Sequence, residues 1–193
     1  MALTLMQAMA SESDIEGLYN LAGPGNRYRV RAMRLTVSIA QLANTPWEGR
    51  IAEPNVTSGQ QQVATLKSFV DSLRPLVSTR SPIHHLGDDE LADAIVEFWR
   101  GVKDAIPRAF EDPRRFSIQK SPGLFVMHRV AAQHVFRESY WPNRFSASKV
   151  SSTLSESKTY MVASFWRTGG QVSAYSSGAG HKHLAEQIIR ELR

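Results

Sequence analysis

The chain contains no cysteine. That absence excludes disulfide frameworks, thiolate nucleophiles, iron–sulfur clusters and zinc ribbons, so the fold must be held by its core alone. Nor is there an apolar run approaching the roughly 20 residues that a membrane-spanning helix needs. The stretch Met1–Ala10 lacks the charged start and long apolar centre of a signal peptide. No internal repeat, low-complexity tract or long linker interrupts the sequence. These absences predict a soluble, cytoplasmic protein without membrane association.

Signatures of chemistry are missing as well. There is no His-Glu-x-x-His and no Gly-x-Ser-x-Gly, and no Walker A lysine follows any glycine-rich run. His84 and His85 are adjacent in a loop, and His181 and His183 are two apart on a helix, so neither pair can chelate a metal from one face. His128 falls on the apolar face of a central helix, where it reads as a hydrogen-bonded core histidine. No metal, cofactor or catalytic residue is expected from these patterns.

The 193 residues are enough for one domain with a real core. Lys and Arg outnumber Asp and Glu by 23 to 18, a net charge of +5 that favours polyanionic partners without proving one. Apolar residues recur mostly at helical spacing. Over 27–43, Val30, Met33, Val37 and Ala40 share one arc and Tyr28, Leu35, Ile39 and Leu42 another, with Arg27, Arg31, Arg34, Ser38 and Gln41 as a polar stripe between them. The alternation from Val30 to Ile39 would also suit a strand.

Further along, Glu48-Gly49-Arg50-Ile51 reads as a turn into a short extended piece. Thr65 caps a helix carrying Leu66, Phe69, Val70 and Leu73 that stops near Pro75. Asp88-Asp89-Glu90 opens a helix with Leu91, Ile95, Phe98 and Val102 on one face. Phe116-Ser117-Ile118 is briefly extended, and Ser121-Pro122 is a cap followed by a first turn, opening a helix to Glu138 that is apolar around most of its circumference. Ser146 to Ser157 is a weaker helix, and Tyr160 to Trp166 fits strand or helix. Residues 1–26 form a helical arm. Together these predict a mainly α, single compact multi-helix domain over 27–193, with at most a short β-hairpin.

The segment Tyr175-Ser176-Ser177-Gly178-Ala179-Gly180-His181-Lys182-His183-Leu184 runs from a small-residue loop into a last helix. Unpaired backbone N–H groups at such a start favour an anion, although an ordinary helix start has the same composition. Basic residues cluster at Arg27, Arg31 and Arg34, at Arg114, Arg115 and Lys120, and around Lys182, with aromatic residues nearby. Phosphate contact is the functional reading of that pattern, and a solvated face is the plain one.

The order of short motifs resembles the C-terminal portion of the DGQHR-domain family, bacterial proteins linked to DNA modification and defence. The matches are Asn44-Thr45-Pro46-Trp47-Glu48-Gly49-Arg50-Ile51, Thr65 to Leu76, Phe98-Trp99-Arg100 to Pro107, Lys120-Ser121-Pro122-Gly123 with the helix after it, and Ser176-Ser177-Gly178-Ala179-Gly180. The Asp-Gly-Gln-His-Arg segment that names the family is absent, so no chemistry of the ParB-like half that carries it transfers to this chain.

The resemblance implies DNA association or protein assembly for the half that remains; with the basic pattern, the leading expectation is a non-enzymatic, DNA-associated module with Arg27, Arg31, Arg34, Arg114, Arg115, Lys120 and Lys182 on phosphates and the backbone of Ser177, Gly178 and Gly180 cradling one. Two other readings remain open. One is a protein-interaction subunit that completes a separately encoded ParB-like half through exposed apolar residues such as Met6 or Trp141. The other is a hydrolase using His181 or His183 beside the glycine loop.

Overall fold

The strongest helical pattern in the sequence also forms the axis of the fold. The structure, a computed structural model, describes residues 27–52, 62–139 and 145–193; the expected arm over 1–26, and with it Met6 and Trp141, lies outside the described residues. α1 spans Arg27–Gln41, β1 Ile51–Ala52, β2 Ala64–Thr65, α2 Leu66–Ser72, α3 Arg74–Val77 and α4 Asp88–Ala105. α5 (Arg108–Glu111) and α6 (Ser121–Val130) follow, then a π-helical turn (Ala131–Val135), α7 (Phe136–Ser139), α8 (Ala147–Leu154), a 3-10 turn (Gln171–Tyr175) and α9 (Gly178–Glu191). The fold is mainly α, as the periodicity predicts.

α4 starts where its acidic first turn meets the positive end of the helix dipole. There the Glu90 carboxylate accepts the Gly87 N–H at 3.1 Å. Leu91, Ile95, Phe98 and Val102 are all buried, together with Trp99 on the flank. α1 is a helix and not the alternative strand, but it buries one face only: Ala32, Leu35, Thr36 and Ile39 turn inward against α2, α3 and α4, while Val30, Met33 and Val37 of the other arc are half-buried and Ala40 is exposed. Thr65 caps α2 by accepting the Ser68 N–H at 3.1 Å. Pro75 then sits in the first turn of α3, where its missing N–H costs nothing.

Three details differ from the sequence reading. The two short strands pair parallel, Ile51 with Ala64 and Ala52 with Thr65, so they are not the two arms of a hairpin. The cap residue of α6 is Lys120, one position before the expected Ser121; the Ser121 hydroxyl donates instead to Ser68 Oγ of α2 at 2.9 Å. Tyr160 to Trp166 is neither strand nor helix but a run of turns, pinned by Trp166 Nε1–H donating to the Tyr160 carbonyl at 2.7 Å. The extended Phe116 does form, as an isolated antiparallel bridge to Arg167.

α8 lies directly on α4, and Gly101 makes that approach possible. A Cβ there would stand 2.5 Å from Val150 Cβ and 2.7 Å from the Ala147 carbonyl. Glu97 of α4 serves both helices, taking Arg100 Nη1 at 2.6 Å on one oxygen and the Ala147 N–H of α8 at 2.9 Å on the other.

At the centre, Trp47 packs edge-on to Phe69 and Trp99 with ring centroids 4.9 and 4.8 Å away, and His128 stands edge-on to Phe69 and Trp99 at 5.6 and 5.5 Å. His128 is fully buried and fully bonded. Trp99 Nε1–H donates to its Nε2 at 2.9 Å, which places the imidazole proton on Nδ1, 2.9 Å from Ser72 Oγ; Ser72 in turn donates to the Phe69 carbonyl at 2.7 Å. A Ser–His pair in this setting is structural, because no substrate can reach it.

Candidate nucleic-acid interface

The antiparallel bridge between Phe116 and Arg167 does more than close a loop. Ser117 N–H donates to the Trp166 carbonyl at 2.7 Å and Thr168 N–H to the Arg115 carbonyl at 2.8 Å. These bonds set the Arg114-Arg115 turn beside the Arg167–Gly170 turn. Lys120 fastens the two together, its Nζ donating to the Arg114 carbonyl at 2.9 Å and to Thr168 Oγ1 at 3.0 Å. Burial lowers the Lys120 pKa, against the opposing pull of Asp112. The Asp112 carboxylate is itself turned to the backbone, accepting the N–H groups of Arg114 and Arg115 at 3.1 and 3.4 Å.

The guanidinium groups of Arg114, Arg115 and Arg167 are thus exposed on adjoining turns, and among the described residues no ion pair occupies any of them. Unpaired cations grouped in this way raise the local potential and attract anions.

Two helix starts lie at the same end. Phe125 of α6 stacks on His181 of α9, ring centroids 5.3 Å apart and nearly coplanar. Further along the same seam, Gln133 and Arg137 share a groove of about 350 Å³ with Ile189, Arg190 and Arg193. The residue order is the same on both sides, so α6 and α9 run parallel and their positive dipole ends coincide. At the start of α9, Ser177 Oγ accepts the Gly180 N–H at 3.0 Å, which leaves the N–H groups of Gly178 and Ala179 without a helical partner. Gly180 tolerates no side chain there, since a Cβ would stand 2.8 Å from Tyr175 Cα. Lys182 is exposed one turn on, 3.8 Å from Glu186.

No protein-family model, curated protein or solved structure matches this chain.

The structure separates the arginines that the sequence grouped. Arg31 is committed to the fold: Nε donates to Asp88 Oδ1 at 2.9 Å, Nη1 to the His84 carbonyl at 2.9 Å, and Nη2 to the Leu86 carbonyl. Arg34 reaches the other oxygen of Asp88 at 2.8 Å, and Arg29 pairs with Asp71 at 3.2 Å. Of the stripe Arg27, Arg31 and Arg34, only Arg27 is exposed and without an ion pair among the described residues. Arg31 clamps the loop before α4 and is 18% exposed, whereas Arg34 is 47% exposed. Arg31→Ala is expected to lower stability by about 1–3 kcal/mol, since it removes the donor to two carbonyls and to one oxygen of Asp88, whose other oxygen still faces Arg34; Arg34→Ala is expected to change it by less than about 1 kcal/mol. Urea denaturation of the two variants checks the contrast.

Sequence reasoning does not find Arg167, because its neighbours in space come from a segment far away in the chain. The one available signal is the extended character of Phe116, which requires a partner strand somewhere. Among the histidines, His183 is exposed near Tyr175, whereas His181 is buried with its Nε2 unpartnered and its pKa lowered by burial and by Arg129. Among the described residues no three metal-ligating side chains come together, and no helix is long and apolar enough to cross a membrane.

Proposed function

We propose that this chain is a non-enzymatic module that binds DNA through its phosphates, within a bacterial DNA-modification or defence system as the DGQHR-family resemblance implies. The observation that carries the reading is the group of unpaired guanidinium groups, Arg114, Arg115 and Arg167, at the end of the molecule where α6 and α9 both begin. Phosphate oxygens fit that environment in two ways: the arginines offer planar, bidentate donors, and the open N–H groups of Gly178 and Ala179 offer a helix-start cradle. Contacts of this kind hold the backbone and carry no sequence information. Val162 is the one large apolar side chain exposed among the described residues, so a partner-completing apolar face finds no support there.

The test is duplex binding across a salt series. The triple variant Arg114→Ala, Arg115→Ala, Arg167→Ala is expected to weaken binding to every sequence alike. It should also make the plot of log K against log salt shallower by about 3, close to one for each phosphate that is no longer neutralised. Arg34→Ala, whose guanidinium faces Asp88, is expected to leave that slope unchanged. An unaltered slope in the triple variant would remove this surface as the site.

A further inference from the structure

The α6–α9 seam carries a second group of cations at its far end. Along α9, Lys182, Glu186 and Arg190 fall four residues apart and share one face, and Arg193 follows just past the helix end. That row runs from the first turn of α9 into the groove at its close. The opposite wall brings Gln133 from the π-helical turn and Arg137 from α7. Gln133, Arg137, Arg190 and Arg193 are all exposed, so each is open to a ligand.

Glu186 is the one acidic residue that lines the groove, and Lys182 Nζ stands 3.8 Å from its Oε1. Glu191 is engaged elsewhere, its Oε2 accepting the Ser157 hydroxyl at 2.7 Å and the Thr159 N–H at 3.2 Å. Arg137, Arg190 and Arg193 carry no ion pair among the described residues. The C-termini of α7 and α9 lie at this end, each equivalent to roughly half a negative charge. Together they offset about one of the three guanidinium charges. With Glu186 facing Lys182, the groove keeps a positive surplus, and its concave shape concentrates it.

We propose that this groove is a second phosphate site for the same DNA, so that one duplex lies along the seam from the basic turns to Arg137 and Arg190. The inference rests on the DNA-binding reading above. α9 has 14 residues and is about 21 Å long, a span that B-DNA covers in roughly six base pairs at about 3.4 Å each. A planar guanidinium from each wall suits the oxygens of a phosphodiester, and the Gln133 amide adds a neutral donor. A protein partner would instead need an apolar anchor at the centre of the patch. Ile189, the groove's apolar residue, is 6% exposed and offers none.

The test is binding of a fluorescently labelled duplex of about 16 base pairs, well beyond the roughly six that the seam spans, across a salt series. Arg137→Ala with Arg190→Ala, folding checked by circular dichroism, is expected to make the plot of log K against log salt shallower by about 2. Arg80→Ala with Lys103→Ala removes as much charge from exposed positions outside this groove and is expected to leave the slope unchanged. Adding Arg114→Ala, Arg115→Ala and Arg167→Ala to the seam pair should flatten the slope by about 5, with one duplex bound per chain throughout. The inference is overturned if the seam pair keeps the natural slope, if the charge-matched pair flattens it equally, or if two duplexes bind per chain. When the seam pair has no effect but the triple variant still flattens the slope, the DNA-binding reading stands without the seam. A natural chain that binds no duplex even at low salt overturns both.

Discussion

Replacing His128 by leucine is expected to cost about 1–3 kcal/mol, because the change leaves the Trp99 N–H buried without an acceptor and takes away the donor to the Ser72 hydroxyl, which keeps only its own bond to the Phe69 carbonyl. Equilibrium urea unfolding at neutral pH measures it. The same residue gives stability a pH dependence whose sign is fixed by its environment. Complete burial lowers the His128 pKa from 6.5 to about 3. Between those values the unfolded chain takes up a proton that the folded chain refuses. Stability is therefore fully present above pH 6.5 and falls as the pH drops toward 3, at up to about 1.4 kcal/mol per pH unit. Unfolding at pH 7, 6, 5 and 4 should show this decline in the natural chain, and the His128→Leu variant should lose most of it above pH 5. A natural chain with flat stability from pH 7 to pH 5 would contradict the buried, neutral imidazole.

An effect of comparable size is expected at Gly123. This glycine lies in the first turn of α6, directly against the chain that leads into it, and a Cβ would stand 1.9 Å from the Ile118 carbonyl oxygen. Backbone atoms on both sides of the clash leave no flexible side chain to move aside. Gly123→Ala should therefore cost about 3 kcal/mol or more, even though alanine favours a helix elsewhere. Gly178→Ala is the matched comparison. Its added methyl meets nothing within 4 Å, so the change is expected to be neutral or to stabilise by up to about 1 kcal/mol. Thermal unfolding of both variants separates a close backbone approach from ordinary helix propensity.

Most of the helices are legible in the sequence because their signals are local. Thr65, Ser146 and Ser177 all cap their helices through the side chain, and the buried face of α4 is the face its spacing describes. The motifs behind the family resemblance have a plain structural meaning as well. Trp47, Phe69, Trp99 and His128 come from four of them and meet in a single aromatic cluster, so those four mark the core, whereas the fifth, Ser176 to Gly180, belongs to the proposed contact surface.

The site is less legible for a physical reason. An arginine's role depends on which carboxylate or carbonyl lies opposite, and those partners belong to other elements. Spacing places Arg31 and Arg34 on an open stripe, whereas Asp88 takes both. Spacing cannot show that Arg167 joins Arg114 and Arg115, because a single long-range bridge brings them together.

The parallel pairing of α6 with α9 also bears on how the protein is made. The start of α9 at Gly178 lies 57 residues after the start of α6 at Ser121, so at a synthesis rate of about 5–20 residues per second the ribosome exposes one seam partner roughly 3–11 seconds before the other. During that interval the surface that will receive Leu184, Ala185, Ile188 and Ile189 has no cover from α9. A nascent chain in that state is a substrate for chaperones that hold exposed apolar surface, and its yield in the cell will depend on how well they do so.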